Sequence, residues 1–301
     1  MNKPAKIISA CVAFVAAVGL GVLAYDLTKY EKMDIPVSVT NTITTYPETE
    51  PPTEPPATKP PEVFPEYDEF VPSAEGIMEK SKIMLRKNRD YAGWIKIANT
   101  NVDYPFLKDP GEIEAGQSYY GGEAYGSNEY YLHRNFNRNY EFAGALFMDY
   151  RNNFDSVEDK QSENIIIYGH NMMNYTMFGS LRQYYSDYSF INRAHFIEIS
   201  SLYHDYDYVI CGCSVTSGYY ESDFVYWNME ELDTEEDFNF FMGKVREKQL
   251  FDTGVDVKYG DKLLTLSTCY GVSESNQRFI LVARRLRDGE VAGDMSTIQR
   301  T

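Results

Sequence analysis

Cysteine is scarce in this chain, with four in 301 residues at positions 11, 211, 213 and 269. They are too few and too unevenly spaced for a disulfide framework. Histidine is as rare. The four (133, 170, 195 and 204) form no HxxxH or HxH pair, and no paired CxxC occurs. A zinc site would have only Cys211 and Cys213 to start from, and two ligands do not make one. No glycine-rich phosphate loop of P-loop or Rossmann form is present, and no cofactor or metal is expected. Positive charge is also short, with 28 Lys and Arg against 45 Asp and Glu and a formal net charge of −17. Such a surface repels polyanions, which argues against nucleic acid as a partner.

What the chain does contain is unevenly distributed. Residues 7–25 (IISACVAFVAAVGLGVLAY) carry no charge, and as a helix at 1.5 Å per residue they span about 28 Å, close to the thickness of a hydrocarbon core. Lys3 and Lys6 precede this run, whereas Asp26, Glu31 and Asp34 are mixed with Lys29 and Lys32 after it. The positive-inside rule therefore predicts a single-pass signal-anchor with residues 1–6 in the cytoplasm and everything after residue 25 outside the cell membrane. A cleaved signal peptide is the alternative, with Val22, Leu23 and Ala24 before the cut. Cys11 stands at the start of the apolar run rather than after it, so it reads as a packing thiol, not a lipidation site.

Nine of the thirteen prolines fall between Pro36 and Pro65, interleaved with Thr and Glu. Residues 26–72 cannot form a packed core. As polyproline II at about 3.1 Å per residue, residues 34–71 would reach on the order of 100 Å, a stalk that holds a domain away from a membrane. Residues 1–72 hold 5 basic and 10 acidic residues, leaving 23 and 35 on residues 73–301. The acidity therefore belongs mostly to the one expected folded domain.

Periodicity in that domain predicts a helix capped by Ser73, with Ile77, Met78, Ile83, Met84 and Leu85 as its apolar stripe, ending near Asn88. Short strand-like runs follow at 94–97, 101–104, 145–148, 164–168, 196–200, 206–215, 262–268 and 278–285. One further helix is expected over 234–248, with Thr234 as N-cap, Glu235, Glu236 and Asp237 in the first turn, and Phe238, Phe241, Met242 and Val245 on one face. The class is mainly β, an eight-stranded barrel with helical additions. Cys211 and Cys213, alternate residues on one strand, are expected to pack together inside it.

Cys269 differs in context. It ends the run from Lys262, where the chain turns away through Tyr270, Gly271, Val272 and Ser273 into a polar loop, and a thiol there is accessible. Arg278 opens the next strand, so a strand pair could bring its guanidinium near the thiol. His170 also ends a strand, and Gly169 beside it permits close backbone approach. By themselves, an isolated cysteine, a solvated arginine and a turn histidine would suffice as explanations.

These three positions resemble the motifs of class B sortases: residues 168–172 (YGHNM) with 177–179 (MFG), 265–269 (TLSTC), and Arg278. The same resemblance extends upstream to 93–97 (GWIKI), 102–105 (VDYP), 128–132 (NEYYL) and 145–152 (ALFMDYRN). The tyrosine-rich insert 117–127 and the long stalk depart from it. The resemblance implies a sortase-type β-barrel and a membrane-anchored cysteine transpeptidase. In it Cys269 is the nucleophile, His170 the proton carrier and Arg278 the oxyanion or carbonyl donor. It implies cleavage of a C-terminal sorting signal of NPxTN or NPxTG type after Thr, and transfer to a peptidoglycan precursor amine. Ser267, Asn128 and Leu132 match positions lining the signal groove, and further groove residues are expected near 222–227. Pilin polymerisation, hydrolysis by water, and a non-catalytic stalked binding module are the alternatives.

Overall fold

Short runs rich in β-branched and aromatic residues form the strands, several of them buried on both faces. In the computed structural model, residues 76–109, 128–271 and 276–301 are described. The expected cytoplasmic tip, membrane span and stalk, the cap Ser73 and all of the insert 117–127 lie outside them. Among the described residues no helix is long and apolar enough to cross a membrane.

The described residues form eight strands: β1 (Tyr91–Ile97), β2 (Asp103–Lys108), β3 (Leu146–Met148), β4 (Asn164–Tyr168), β5 (Phe196–Ser200), β6 (Asp205–Ser217), β7 (Leu263–Cys269) and β8 (Gln277–Arg285). They close into a barrel in the order β1-β2-β3-β4-β7-β8-β6-β5. Two pairs run parallel, β2 with β3 and β4 with β7, and the others antiparallel. The interior is filled by residues such as Ile95, Phe106, Ile165, Ile167, Leu264, Leu266, Phe279 and Leu281.

Helix α1 (Glu79–Lys87) follows Met78 as N-cap rather than a serine, and Ile83 points outward at 49% exposure. Its buried residues are Ser81 and Leu85. The apolar stripe is thus narrower than the periodicity predicts. The short α2 (Arg182–Ser186) lies between β4 and β5. Helix α3 (Glu235–Glu247) begins where expected, and the Thr234 hydroxyl accepts the Asp237 N–H at 3.1 Å. Its Phe238, Phe241, Met242 and Val245 pack on the barrel's outer face against Val209, Ile280 and Val282. Burying each phenylalanine contributes about 1.5–3 kcal/mol.

The two cysteines of β6 do not share a face. A bulge between Ile210 and Gly212 shifts the register against β8. It leaves Cys211 in the α3-facing cluster and Cys213 inside the barrel. An extra residue breaks strict alternation. Gly212 is needed there because a Cβ would come within 2.5 Å of the Val245 side chain.

The segment after β8 is tied down by a buried ion pair. Arg284 and Glu290 meet in a two-pronged contact at 2.6 and 2.7 Å, with side chains 0% and 2% exposed. Burial alone would raise the Glu290 pKa. The hydrogen bonds from Arg284 and from the backbone N–H groups of Arg287 and Gln299 outweigh it and bring the value to about 2. Glu290→Ala should therefore destabilise the protein by about 3–5 kcal/mol, because it leaves a buried guanidinium unpaired. In the parent protein the pair's contribution is present above pH ~4.5 and is lost as pH falls toward 2, since the folded pKa is the lower one. Denaturant midpoints of parent and variant at pH 7 and pH 3 check both, and the gap between them should narrow at pH 3.

Candidate active site

Three neighbouring strands end at one edge of the barrel. In the parallel β4–β7 pair, Tyr168 lies opposite Ser267. His170 and Cys269 each stand two residues further on. In the antiparallel β7–β8 pair, Cys269 lies directly opposite Arg278, which puts their Cβ atoms about 5 Å apart. Alternation decides the face: Ile165, Ile167, Leu264, Leu266, Phe279 and Leu281 point inward, so the parity of Cys269 and Arg278 is outward. Cys269 is exposed, whereas Cys211 and Cys213 are buried. Burial pushes the Cys211 thiol up to about 12 and holds that of Cys213 well above its ordinary value. Among the described cysteines, Cys269 alone is reachable.

The turn carrying His170 is closely fixed. The Gly169 N–H donates to the Ser267 carbonyl at 3.2 Å, and a Cβ on Gly169 would collide with Leu146 and Phe178. The Asn171 amide donates to the Cys269 carbonyl at 2.9 Å and the Gly271 carbonyl at 3.2 Å. Both sequence neighbours of His170 therefore hold the end of β7. Beyond them Tyr175 and Met177 take positive φ values of 65° and 50°, uncommon for such side chains and found where surrounding structure imposes them. That turn lets the Phe178 N–H donate to the His170 carbonyl at 3.0 Å.

The His170 tautomer follows from its partner. Nε2 lies 2.9 Å from the Leu132 carbonyl, an atom that only accepts, so Nε2 carries hydrogen and Nδ1 is the nitrogen left to exchange a proton. Burial lowers the His170 pKa, and the Leu132 contact opposes that partly. The site thus combines an accessible thiol, an imidazole poised to give or take a proton, and a permanent cation across the strand pair.

Other residues singled out from the sequence surround this edge in different ways. Ser267 is 3% exposed, and its hydroxyl pairs with the Tyr226 hydroxyl at 2.7 Å. Leu132 contributes its carbonyl to His170. Asn128 is turned into the protein, donating to Asp149 at 2.6 Å and accepting from the Tyr150 N–H at 3.0 Å. The fully buried Asp149 also accepts from the Tyr168 hydroxyl at 2.9 Å and pairs with Arg151. Arg151 reaches on to the Trp227 carbonyl, Asn228 and Glu230. This network anchors the segment that lays Tyr226 beside Ser267. Sequence reading located the 222–227 region but not Tyr226, because nothing local marks a residue whose partner is 41 positions away. Asn171 and Arg151 were visible only as parts of longer motifs.

Comparison with known proteins bears on this arrangement. A family profile described as the sortase domain matches residues 128–286. Sortase B of Listeria monocytogenes is 31% identical over 193 residues, covering 64% of this chain and 68% of the relative. Sortase B of Staphylococcus aureus is 28% identical over 217 residues, covering 71% and 77%. A Staphylococcus aureus sortase B–substrate complex superposes with a TM-score of 0.57 at 26% identity, covering 71% of this chain and 88% of that one. A mutant form of Clostridium perfringens sortase B does so with 0.57 at 26%, covering 69% and 87%.

Asn171→Ala should lower turnover about tenfold while costing only about 1 kcal/mol of stability, because it uncouples the histidine turn from the thiol strand. Steady-state kinetics beside a denaturation curve checks this, and a parallel fall in both KM and stability with kcat unchanged would speak against it.

Proposed function

The chain belongs to the sortase family, as a cysteine transpeptidase of class B, and we propose on that premise that Cys269, His170 and Arg278 carry its reaction. The shared edge of β4, β7 and β8, with Cys269 paired to Arg278 and His170 two residues past the Tyr168–Ser267 pair, is the observation that supports this reading most. Sortases act on sorting signals, and the Staphylococcus aureus relative has been captured with substrate. For this chain we assign a C-terminal signal of NPxTN or NPxTG type, cut after Thr.

The Cys269 thiolate attacks the threonine carbonyl carbon, and the negative charge that develops on its oxygen faces Arg278, a fixed multiple donor. Collapse breaks the C–N bond, and protonated His170 gives its proton to the departing amine. A thioester remains on Cys269. An incoming amine, from a peptidoglycan precursor, attacks the same carbon; His170 takes its proton and the thiolate is released. Ser267 and Tyr226 underlie the acyl position, and Leu132 keeps Nδ1 of His170 free for both transfers. Asn128, matched to a groove residue, acts in this reading by holding Asp149 and the groove wall. Residues 7–25 anchor the chain in the cell membrane, residues 26–72 form the stalk, and residues 73–301 work outside.

The test is incubation of the full-length chain with NPxTN- and NPxTG-type peptides and triglycine, with products read by mass spectrometry. An amide of the threonine acyl group with triglycine is expected. Cys269→Ala should lose at least about a thousandfold in rate and Arg278→Ala about a hundredfold. Free acid alone at saturating amine would indicate a hydrolase, uncut peptide a binding module, and full activity of Cys269→Ala would overturn the assignment.

A further inference from the structure

The face of His170 is covered by rings from the segment that also supplies its carbonyl partner. Phe142 lies nearly parallel to it, 12° between planes and 6.1 Å between centroids. His133 packs against it at 5.2 Å and 34°. His133 in turn stacks with Tyr140 at 6.4 Å and Phe142 at 5.8 Å. Its Nδ1 lies 3.1 Å from the Phe142 carbonyl, an acceptor only, so Nδ1 carries hydrogen and donates. Leu132, His133 and Phe142 thus form one closed loop that meets a single imidazole through a carbonyl and two rings. His133 is 8% exposed, yet Phe142 is 62% exposed. A phenylalanine left largely in water contributes little to a core, and its ring pairs with those of His170 and His133.

We propose that His133 and Phe142 are positioning residues for the transpeptidation: Phe142 fixes the ring plane of His170, and His133 locks the loop that carries Phe142 and the Leu132 carbonyl. This rests on the reading above that His170 carries the proton. A hydrogen bond at Nε2 alone leaves the ring free to swing about that contact, and a second ring laid parallel removes the swing. Two imidazoles 5.2 Å apart cannot both take a proton as freely as one.

The charged surroundings set which one yields. His170 faces the Leu132 carbonyl, with Cys269 and Arg278 at the neighbouring strand ends. His133 faces His170 and Arg134, whose guanidinium is held by the Tyr130 carbonyl and ring, and the nearby Glu141 carboxylate accepts from Asn135. Burial first, then the charges of His170 and Arg134, lower the His133 pKa, against the Phe142 hydrogen bond. His133 therefore stays neutral at pH 7, and the charge that His170 takes up first opposes proton uptake by His133.

The full-length chain carries the test. Peptide cleavage with added triglycine is followed from pH 5 to 9 for the parent, His133→Asn, His133→Ala and Phe142→Ala, beside NMR titration of the His170 ring. Asn keeps a donor near the Nδ1 position without a charge. His133→Asn should stay within about threefold of parent kcat, with the His170 nitrogen shifts still reporting a single tautomer, because Asn keeps the donor that closes the loop on the Phe142 carbonyl. Phe142→Ala and His133→Ala should lower kcat about tenfold or more with KM within about twofold, and their His170 nitrogen shifts should report mixed tautomers. Because Phe142 is exposed, its variant is expected to fold. Folded Phe142→Ala and His133→Ala with unchanged kcat and an unchanged His170 tautomer would overturn the proposal. His170→Ala separates the two levels: if it is inactive while the clamp variants are silent, only the clamp fails, and if it remains active, the reading of His170 itself fails.

Discussion

Because β4 and β7 run parallel, the residues that follow them leave the barrel at the same edge, and this brings a histidine and a cysteine far apart in the chain into one site. A parallel pair cannot be joined by a hairpin. The intervening chain must travel out and back, and it does so by building β5, β6 and α3. The long strand β6 pairs with β5 on one side and β8 on the other, which closes the barrel and holds β8 against β7. Arg278 then faces Cys269 by simple antiparallel register. The geometry of the site is thus a property of the whole closed sheet.

Side chains refine what register begins. Asn171 clasps the end of β7 from the histidine turn, and Leu132 fixes the imidazole by its carbonyl. The buried Asp149 would be costly alone. It is neutralised by Arg151 and hydrogen-bonded by Asn128 and Tyr168, and the same arginine reaches the segment holding Tyr226. A buried charge of this kind is retained where it links elements that hydrophobic packing alone would leave free to slide.

Much of this was legible in the sequence because it is local. Short β-prone runs overlapped all eight strands, with β4 and β5 matched end to end and β2 displaced from the expected 101–104 to Asp103–Lys108, and the Thr234 cap with its three acidic neighbours marked the start of α3. The relation of Cys269 to Arg278 could be anticipated from two strands that follow one another in the chain. Other features were not legible. The bulge at Ile210 and Gly212 sends Cys211 and Cys213 to opposite faces, and no periodicity reveals an inserted residue. Ile83 fits a helical stripe but is left exposed. Tyr226, His133, Phe142 and the Arg284–Glu290 pair depend on contacts made by loops and by the segment after β8, where spacing carries no information about what lies across space. Family resemblance identified the class of chemistry, whereas the part Asn128 plays, as a strut to Asp149, required the fold.

In the proposed reaction the thiol at the end of β7 carries the acyl group while its neighbours on the barrel rim handle proton and charge. The most direct measurement is to stop the full-length chain during turnover with a sorting-signal peptide, in the absence of amine, and locate the acyl adduct by mass mapping of the fragments. One thioester is expected, on Cys269, and it should disappear when triglycine is added. Product formed without any adduct on Cys269, or an adduct on another residue that is consumed at the turnover rate, would be incompatible with that chemistry.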